Sequence, residues 1–224
     1  MKSIWIPHIP KNGGMTIIHS LSYHKKYLIH DKKELQIYKN NQCYLHLRHG
    51  NPLKKEMNDW LKILIIRDPI DRFISFFNFV KWRYFFKNNF IDNRTINEFI
   101  ETYPDPKIDN KLYGGKFLSQ LQFLNFQQRN DDFIVFDKNN IKDIFDYILD
   151  ISEIKKVFNL IEIHFLEKKI KWIDWNTSEK NIAALNKHAI PNFKVFKKED
   201  LNEDQLNKLK ILLKDDIEFY EFVL

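Results

Sequence analysis

Cysteine is almost absent: Cys43 is the single thiol in 224 residues. An internal disulfide is therefore excluded, as is a metal site built on several thiolates, and a reducing compartment is the natural setting. Long apolar runs are missing too. No stretch approaches the roughly 18 residues needed to span a bilayer, and the N-terminus enters its first apolar segment without a signal-peptide core. A soluble, cytoplasmic protein with no membrane partner is expected. Glycine is scarce, with 5 residues, and one adjacent pair falls early, at Gly13-Gly14. Internal repeats, low-complexity tracts and linker-like segments are also lacking, which leaves one domain over residues 1–224 as the default at this length.

What the chain does have is an ordinary globular composition, 44% hydrophobic and 29% charged, enriched in phenylalanine at 20 residues. The formal net charge is +6. That modest excess favours anionic ligands such as nucleotides, acidic glycans, nucleic acid or anionic lipid, without choosing among them.

The stretch SIWIPHIPKNGGMTIIHS, residues 3–20, runs from an apolar strand-like segment through the glycine pair into a helix-like segment. A strand that turns into a helix this way aims several backbone N–H groups at one point, and the helix dipole adds positive potential there. Gly13 and Gly14 allow close backbone approach, Lys11 adds a full charge, and Thr16 offers a hydroxyl one turn into the helix. Phosphate or sulfate suits such a point. A Walker loop places its lysine after the last glycine, whereas Lys11 precedes both, so this is not a Walker loop. On its own, the loop is equally readable as a tight turn with a solvated lysine.

Hydrophobic patterning predicts a helix over 15–26, a polar connector over 31–41, a strand over 42–47 and a buried strand over 60–66. Asp68 then reads as a helix cap and Pro69 as the first helical residue of 69–87, with Ile70, Phe73, Ile74, Phe77, Val80 and Tyr84 as its apolar stripe and Asp71, Ser75 and Asn78 as a polar strip. Further on, a short helix is expected over 95–102, a helix carrying Gln120 and Gln122 over 111–125, a strand over 132–136 and an amphipathic helix over 140–149. A closing helix over 202–222 has Asn202 as cap and Gln205 at the capping-box position. The segment 152–176 fits helix or strand equally. The alternation implies an α/β fold of three layers, a parallel central sheet flanked by helices and resembling P-loop NTPases.

The segment Ile66-Arg67-Asp68-Pro69-Ile70-Asp71-Arg72-Phe73-Ile74-Ser75 supplies a second anion site. Its strand ends on Arg67 instead of a magnesium-binding aspartate, and Arg67 with Ser75 can converge on one tetrahedral anion. With these residues in view, Pro10 to Thr16 together with Arg67-Asp68-Pro69-x-x-Arg72-x-x-Ser75 resembles the sulfotransferases that use 3′-phosphoadenosine 5′-phosphosulfate (PAPS), most of all the carbohydrate branch. The resemblance implies that Lys11, Asn12, Gly13, Gly14, Met15 and Thr16 hold the 5′-phosphosulfate, that Arg67 and Ser75 hold the 3′-phosphate, and that 3′,5′-bisphosphoadenosine (PAP) is the product. It also implies a hydroxyl acceptor, a glycan first, with no metal and no nucleic-acid partner. Met15 departs from the Thr or Ser usual in that family and removes a hydroxyl from the cradle.

An acceptor hydroxyl needs a base. The family often places a histidine between the two motifs, which points to His49 and His46, with His8, Glu34 or another carboxylate as the remaining choices. Arg72 either supports the 3′-phosphate or pairs with an acid on its own helix. Two other classes stay open from the residues alone: a P-loop-type kinase, and a non-catalytic basic module that binds anions or nucleic acid. The acceptor's identity and the oligomeric state leave no mark in the sequence.

Overall fold

Four consecutive residues, Ile4–Pro7, form β1, and all four are buried; Leu61–Ile66 forms β5, buried along its whole length. A strand covered on both faces belongs in a parallel sheet between helical layers. The computed structural model describes residues 3–23, 29–31, 34–39, 42–48, 53–88, 94–103, 119–125, 133–166, 169, 171–173 and 194–224. Its elements in chain order are β1, α1 (Gly14–Tyr23), β2 (Ile29–Asp31), β3 (Glu34–Lys39), β4 (Gln42–Arg48), β5, α2 (Pro69–Asn88), α3 (Ile96–Thr102), α4 (Gln120–Leu124), α5 (Ile141–Ile144), β6 (Tyr147–Asp150), α6 (Ile154–Ile161), α7 (Glu203–Leu212) and α8 (Lys214–Val223). By contact the chain divides into two compact units. The first holds Met1–Arg67, Gln120–Trp175 and Glu218–Leu224; the second holds Asp68–Ser119 and Asn176–Ile217.

The first unit carries a 6-stranded sheet in the order β2-β3-β4-β1-β5-β6. β1 runs parallel to β4 and to β5, and β5 runs parallel to β6. The expected parallel sheet is thus present but extended at one side, because β2, β3 and β4 pair antiparallel. Within the polar connector expected over 31–41, the described residues belong to the end of β2 and to β3, which pair antiparallel. The strand signal of β3, Leu35 and Ile37 alternating with Glu34 and Gln36, was hidden among charges.

Alternate residues of the central strands feed two cores. Ile4, Ile6, Ile63 and Ile65 pack with Ile17 and Leu21 of α1 and with Val157, Phe158 and Ile161 of α6. On the opposite face Trp5, Leu64 and Ile66 meet Leu124 of α4, Ile141 of α5, and Phe219 and Val223 of α8. Trp5 stacks on Phe136 and Phe145, at centroid distances of 6.0 and 5.5 Å. The unit is a three-layer α/β sandwich.

Two predicted elements change identity here. Of the strand expected over 132–136, the described residues 133–136 form none; Phe133 makes an isolated bridge to Lys54, while Phe136 is a buried core residue. The helix expected over 140–149 stops at Ile144. Phe145 turns extended at φ −90°, ψ 128°, and Tyr147–Asp150 pairs with β5 instead. The apolar spacing was real, since Ile141, Phe145 and Leu149 are all buried. A free sheet edge outweighed helical propensity. In the ambiguous segment 152–176, the described part is mainly helical, with α6 followed by a π-turn at Glu162–Leu166.

In the second unit Asp68 caps α2 as expected, its Oδ1 accepting from Asp71 N at 2.9 Å. Ile70, Phe73, Phe77 and Val80 of α2 pack with Ile96, Phe99 and Ile100 of α3 and with Leu209 of α7. The Asn202–Gln205 capping box is formed, but the closing helix is two, broken at Leu213 (φ −104°, ψ 15°). Asn78, on the predicted polar strip, both accepts from Phe196 N and donates to Phe196 O, at 3.0 and 2.8 Å. Arg72, expected to support the 3′-phosphate or to pair with an acid on its own helix, meets an acid on another: its Nη1 donates to Asp216 Oδ2 of α8 at 3.1 Å, with both side chains nearly inaccessible.

Among the described residues no helix is long and apolar enough to cross a membrane. Removing one partner of the buried Arg72–Asp216 pair strands a charge out of water. Arg72→Met is expected to lose about 3–5 kcal/mol in urea unfolding, and Arg72→Met/Asp216→Leu to recover most of that loss. Equal losses for the single and double variants would show that the stranded Asp216 carboxylate carries no special penalty there.

Candidate active site

The strand order places a topological switch at β1. From β1 the chain passes through α1 to β2, β3 and β4 on one side, then crosses to β5 on the other. In sheets of this kind ligands bind beyond the carboxyl ends of the strands where the direction reverses. Here that place lies beyond the carboxyl ends of β1 and β5, which are in register at Ile4↔Leu61 and Trp5↔Lys62. Of the residues singled out from sequence, the Lys11 loop and Arg67 border this crevice.

The loop leaving β1 turns tightly. Asn12 N donates to Ile9 O at 3.2 Å, and Thr16 N to Gly13 O at 2.9 Å. Lys11 and Gly13 lie in the left-handed region, at φ 71° and 79°. Glycine adopts that conformation freely, but for lysine it costs on the order of 1 kcal/mol and persists only where neighbours impose it. One neighbour is Arg67, the first residue past β5, whose Nη1 donates to Lys11 O at 3.1 Å.

Asn12 fastens the loop to β5. Its Nδ2 donates to Ile65 O at 2.8 Å and to Gln120 Oε1 at 2.7 Å. Gln120, at the start of α4, is fully buried; its Oε1 also accepts from Arg67 N at 3.0 Å, and its Nε2 donates to Arg67 O at 2.9 Å. The two amides bond backbone groups at the end of β5. Asn12, expected to touch the donor, gives its Nδ2 to the scaffold.

Gly14 opens α1 and is there for space. A Cβ on it would lie 2.2 Å from His8 Cδ2 and 2.5 Å from His8 Nε2. The His8 ring is itself buried, so it cannot swing aside into solvent. His8 therefore forms the floor under the first helical turn.

Electrostatically the crevice seeks an anion. The half-buried Lys11 ammonium is pushed down from 10.5 to about 7, first by desolvation and then by the like charge of Arg67. A bound anion would relieve both. Gathered here are Lys11, Asn12, Gly13, Gly14 and Arg67, with Thr16 half-buried on the first turn of α1; Met15 follows Gly14 in that turn. Ser75 is a buried residue of α2, in the other unit. His46 is on β4, in register with Trp5, and His49 falls outside the described residues. Among the described residues no group of three or more His, Cys, Asp or Glu is placed to hold a metal.

The sulfotransferase family model matches residues 2–223, nearly the whole chain. The chain belongs to the sulfotransferase family. No curated protein matches it individually. For a sulfotransferase the two cations at the switch point have an evident use, since a sulfo donor is anionic and so is what it leaves behind. Membership selects sulfo transfer over the phosphoryl transfer and passive binding that the residues alone left open.

Sequence reasoning missed Gln120 as part of this sulfotransferase's site. A signal existed: Gln120 and Leu124 share a helix face at i, i+4 spacing, and a polar residue on a buried face needs partners.

Two outcomes follow from this geometry. Gly14→Ala should cost about 1–3 kcal/mol through overpacking against His8, and in a His8→Ala background the same change should be nearly neutral, as read from a double-mutant cycle in urea. For Lys11, the folded protein holds a lysine whose pKa is about 7 against 10.5 unfolded. Between those values the unfolded chain binds the extra proton, so stability rises with pH across that window, and below it the penalty is present in full. Lys11→Met should therefore be more stable than wild type at pH 6, by about 1–2 kcal/mol once partial exposure is allowed for, with the gap closing toward pH 10. A gap that does not change with pH would show that Lys11 titrates normally.

Proposed function

We propose that this sulfotransferase moves the sulfo group of PAPS to a hydroxyl, on a carbohydrate, by metal-free in-line transfer, leaving PAP. The observation that carries the reading is the placement of Lys11 and Arg67 at one crevice, joined by the Arg67 Nη1 to Lys11 O bond of 3.1 Å, with Lys11 held as a desolvated cation whose pKa is near 7. A nucleotide anionic at both its 5′ and 3′ ends satisfies two such charges at once. The match to the PAPS-dependent motifs assigns the 5′ end to Lys11, Gly13, Gly14 and Thr16 and the 3′ end to Arg67 and Ser75.

In this reaction the bond from sulfur to the 5′-phosphate oxygen breaks as the bond from sulfur to the acceptor oxygen forms. Charge grows on the departing phosphate oxygen. Lys11 and the loop N–H groups stabilise that charge, which is larger in the transition state than in the ground state. The acceptor proton passes to a base. His49 and His46 fill that role on the family's pattern. The carbohydrate acceptor rests on the resemblance to the carbohydrate branch.

A thermal-shift comparison tests the reading. At 100 times its Kd, adenosine 3′,5′-bisphosphate should stabilise the protein by about 2.7 kcal/mol, a rise of roughly 5–10 °C at this size, with AMP and ATP giving clearly less. Arg67→Ala should abolish the preference. Equal stabilisation by AMP, or a preference that survives in Arg67→Ala, would refute PAPS as the donor.

A further inference from the structure

Gln120 is a neutral, fully inaccessible side chain, remote from any reacting group by chemistry, yet it is bonded to both halves of the site. Its amide accepts from Arg67 N and donates to Arg67 O, gripping that one residue as a neighbouring strand would, and it accepts from Asn12 of the Lys11 loop. Its orientation is set by these bonds, because a reversed amide would put donor against donor at Arg67 N and at Asn12. Arg67 stands one residue past the end of β5, where the ladder no longer holds the backbone. The direction in which its guanidinium leaves the sheet therefore depends on the Gln120 clamp.

We infer that Gln120 is the positioning residue that couples the two anion-binding elements, setting Arg67 relative to the Lys11 loop so that one doubly phosphorylated nucleotide engages both. The inference rests on the donor reading given above. A ligand that touches only one element gains nothing from the coupling, whereas a ligand that spans both gains all of it. Gln120 contributes no charge; it acts by holding Arg67 in place against the loop that Asn12 fastens. A residue that merely fills the core would weaken every ligand alike.

The test compares adenosine 3′,5′-bisphosphate with AMP by calorimetric titration in wild type, Gln120→Leu, Gln120→Glu, Arg67→Ala and Gln120→Leu/Arg67→Ala, with ligand-free thermal unfolding measured for each. Gln120→Leu should weaken bisphosphate binding by about tenfold or more while AMP stays within about twofold of wild type. Gln120→Glu keeps both accepting contacts and should fall between the two. If Gln120→Leu does not fold, that intermediate variant must show the same bisphosphate-selective loss. In the Arg67→Ala background Gln120→Leu should add no further loss, since its effect passes through Arg67. Parallel weakening of AMP and bisphosphate, or losses that add fully to those of Arg67→Ala, overturns the coupling role. If wild type itself shows no preference for the bisphosphate, the donor reading fails and this inference fails with it. A wild-type preference that the Gln120 variants leave intact sinks this inference alone.

Discussion

The site depends on side-chain amides that take over where a strand outruns its neighbour. β1 ends at Pro7, whereas β5 runs on to Ile66 with Arg67 just past it. Backbone groups left facing a gap inside a protein are costly unless bonded. Asn12 supplies a donor to Ile65 O, and Gln120 supplies both a donor and an acceptor to Arg67. The two amides keep the end of β5 from unravelling beside the switch point. Apolar side chains of the same size would fill the volume but leave the strand end unsatisfied.

Around that strand end the protein accepts local costs. Lys11 is held at positive φ and partly desolvated beside a second cation. Gly14 gives up a side chain so that the His8 ring can lie beneath the helix. Each of these opposes stability, and each leaves positive potential and N–H groups preorganised where an anion would arrive. The second unit shows no comparable cost at the start of α2, where Asp68 both caps the helix through Asp71 N and pairs with Lys198 at 3.1 Å.

The parts of this arrangement that could be read from residues alone are those with short-range causes. The glycine turn, the cap at Asp68 with Pro69 after it, the buried run of β5 and the Asn202–Gln205 box all depend on neighbours within a few positions. Elements decided by distant pairing were misread. Tyr147–Asp150 became a strand because β5 had a free edge, and the charged segment near Leu35 and Ile37 became another because β4 could pair with it. The same division holds at the site. Lys11 and Arg67 announce themselves by motif, whereas Gln120 is 53 residues from Arg67 and 108 from Asn12, and nothing local marks their meeting. The acid that meets Arg72 was hidden for a related reason, being 144 residues away.

The last helix shows where such separations lead. Asp216 neutralises a guanidinium in one unit, and a few positions on, Phe219 and Val223 complete the aromatic core under Trp5 in the other. During synthesis neither unit can close over its interior until residues 216–223 have cleared the ribosomal tunnel. Nascent chains must therefore wait, with Trp5, Phe136 and Phe145 uncovered, for a C-terminal segment to arrive. Until then the unfinished chain shows aromatic surface of the kind that chaperones bind.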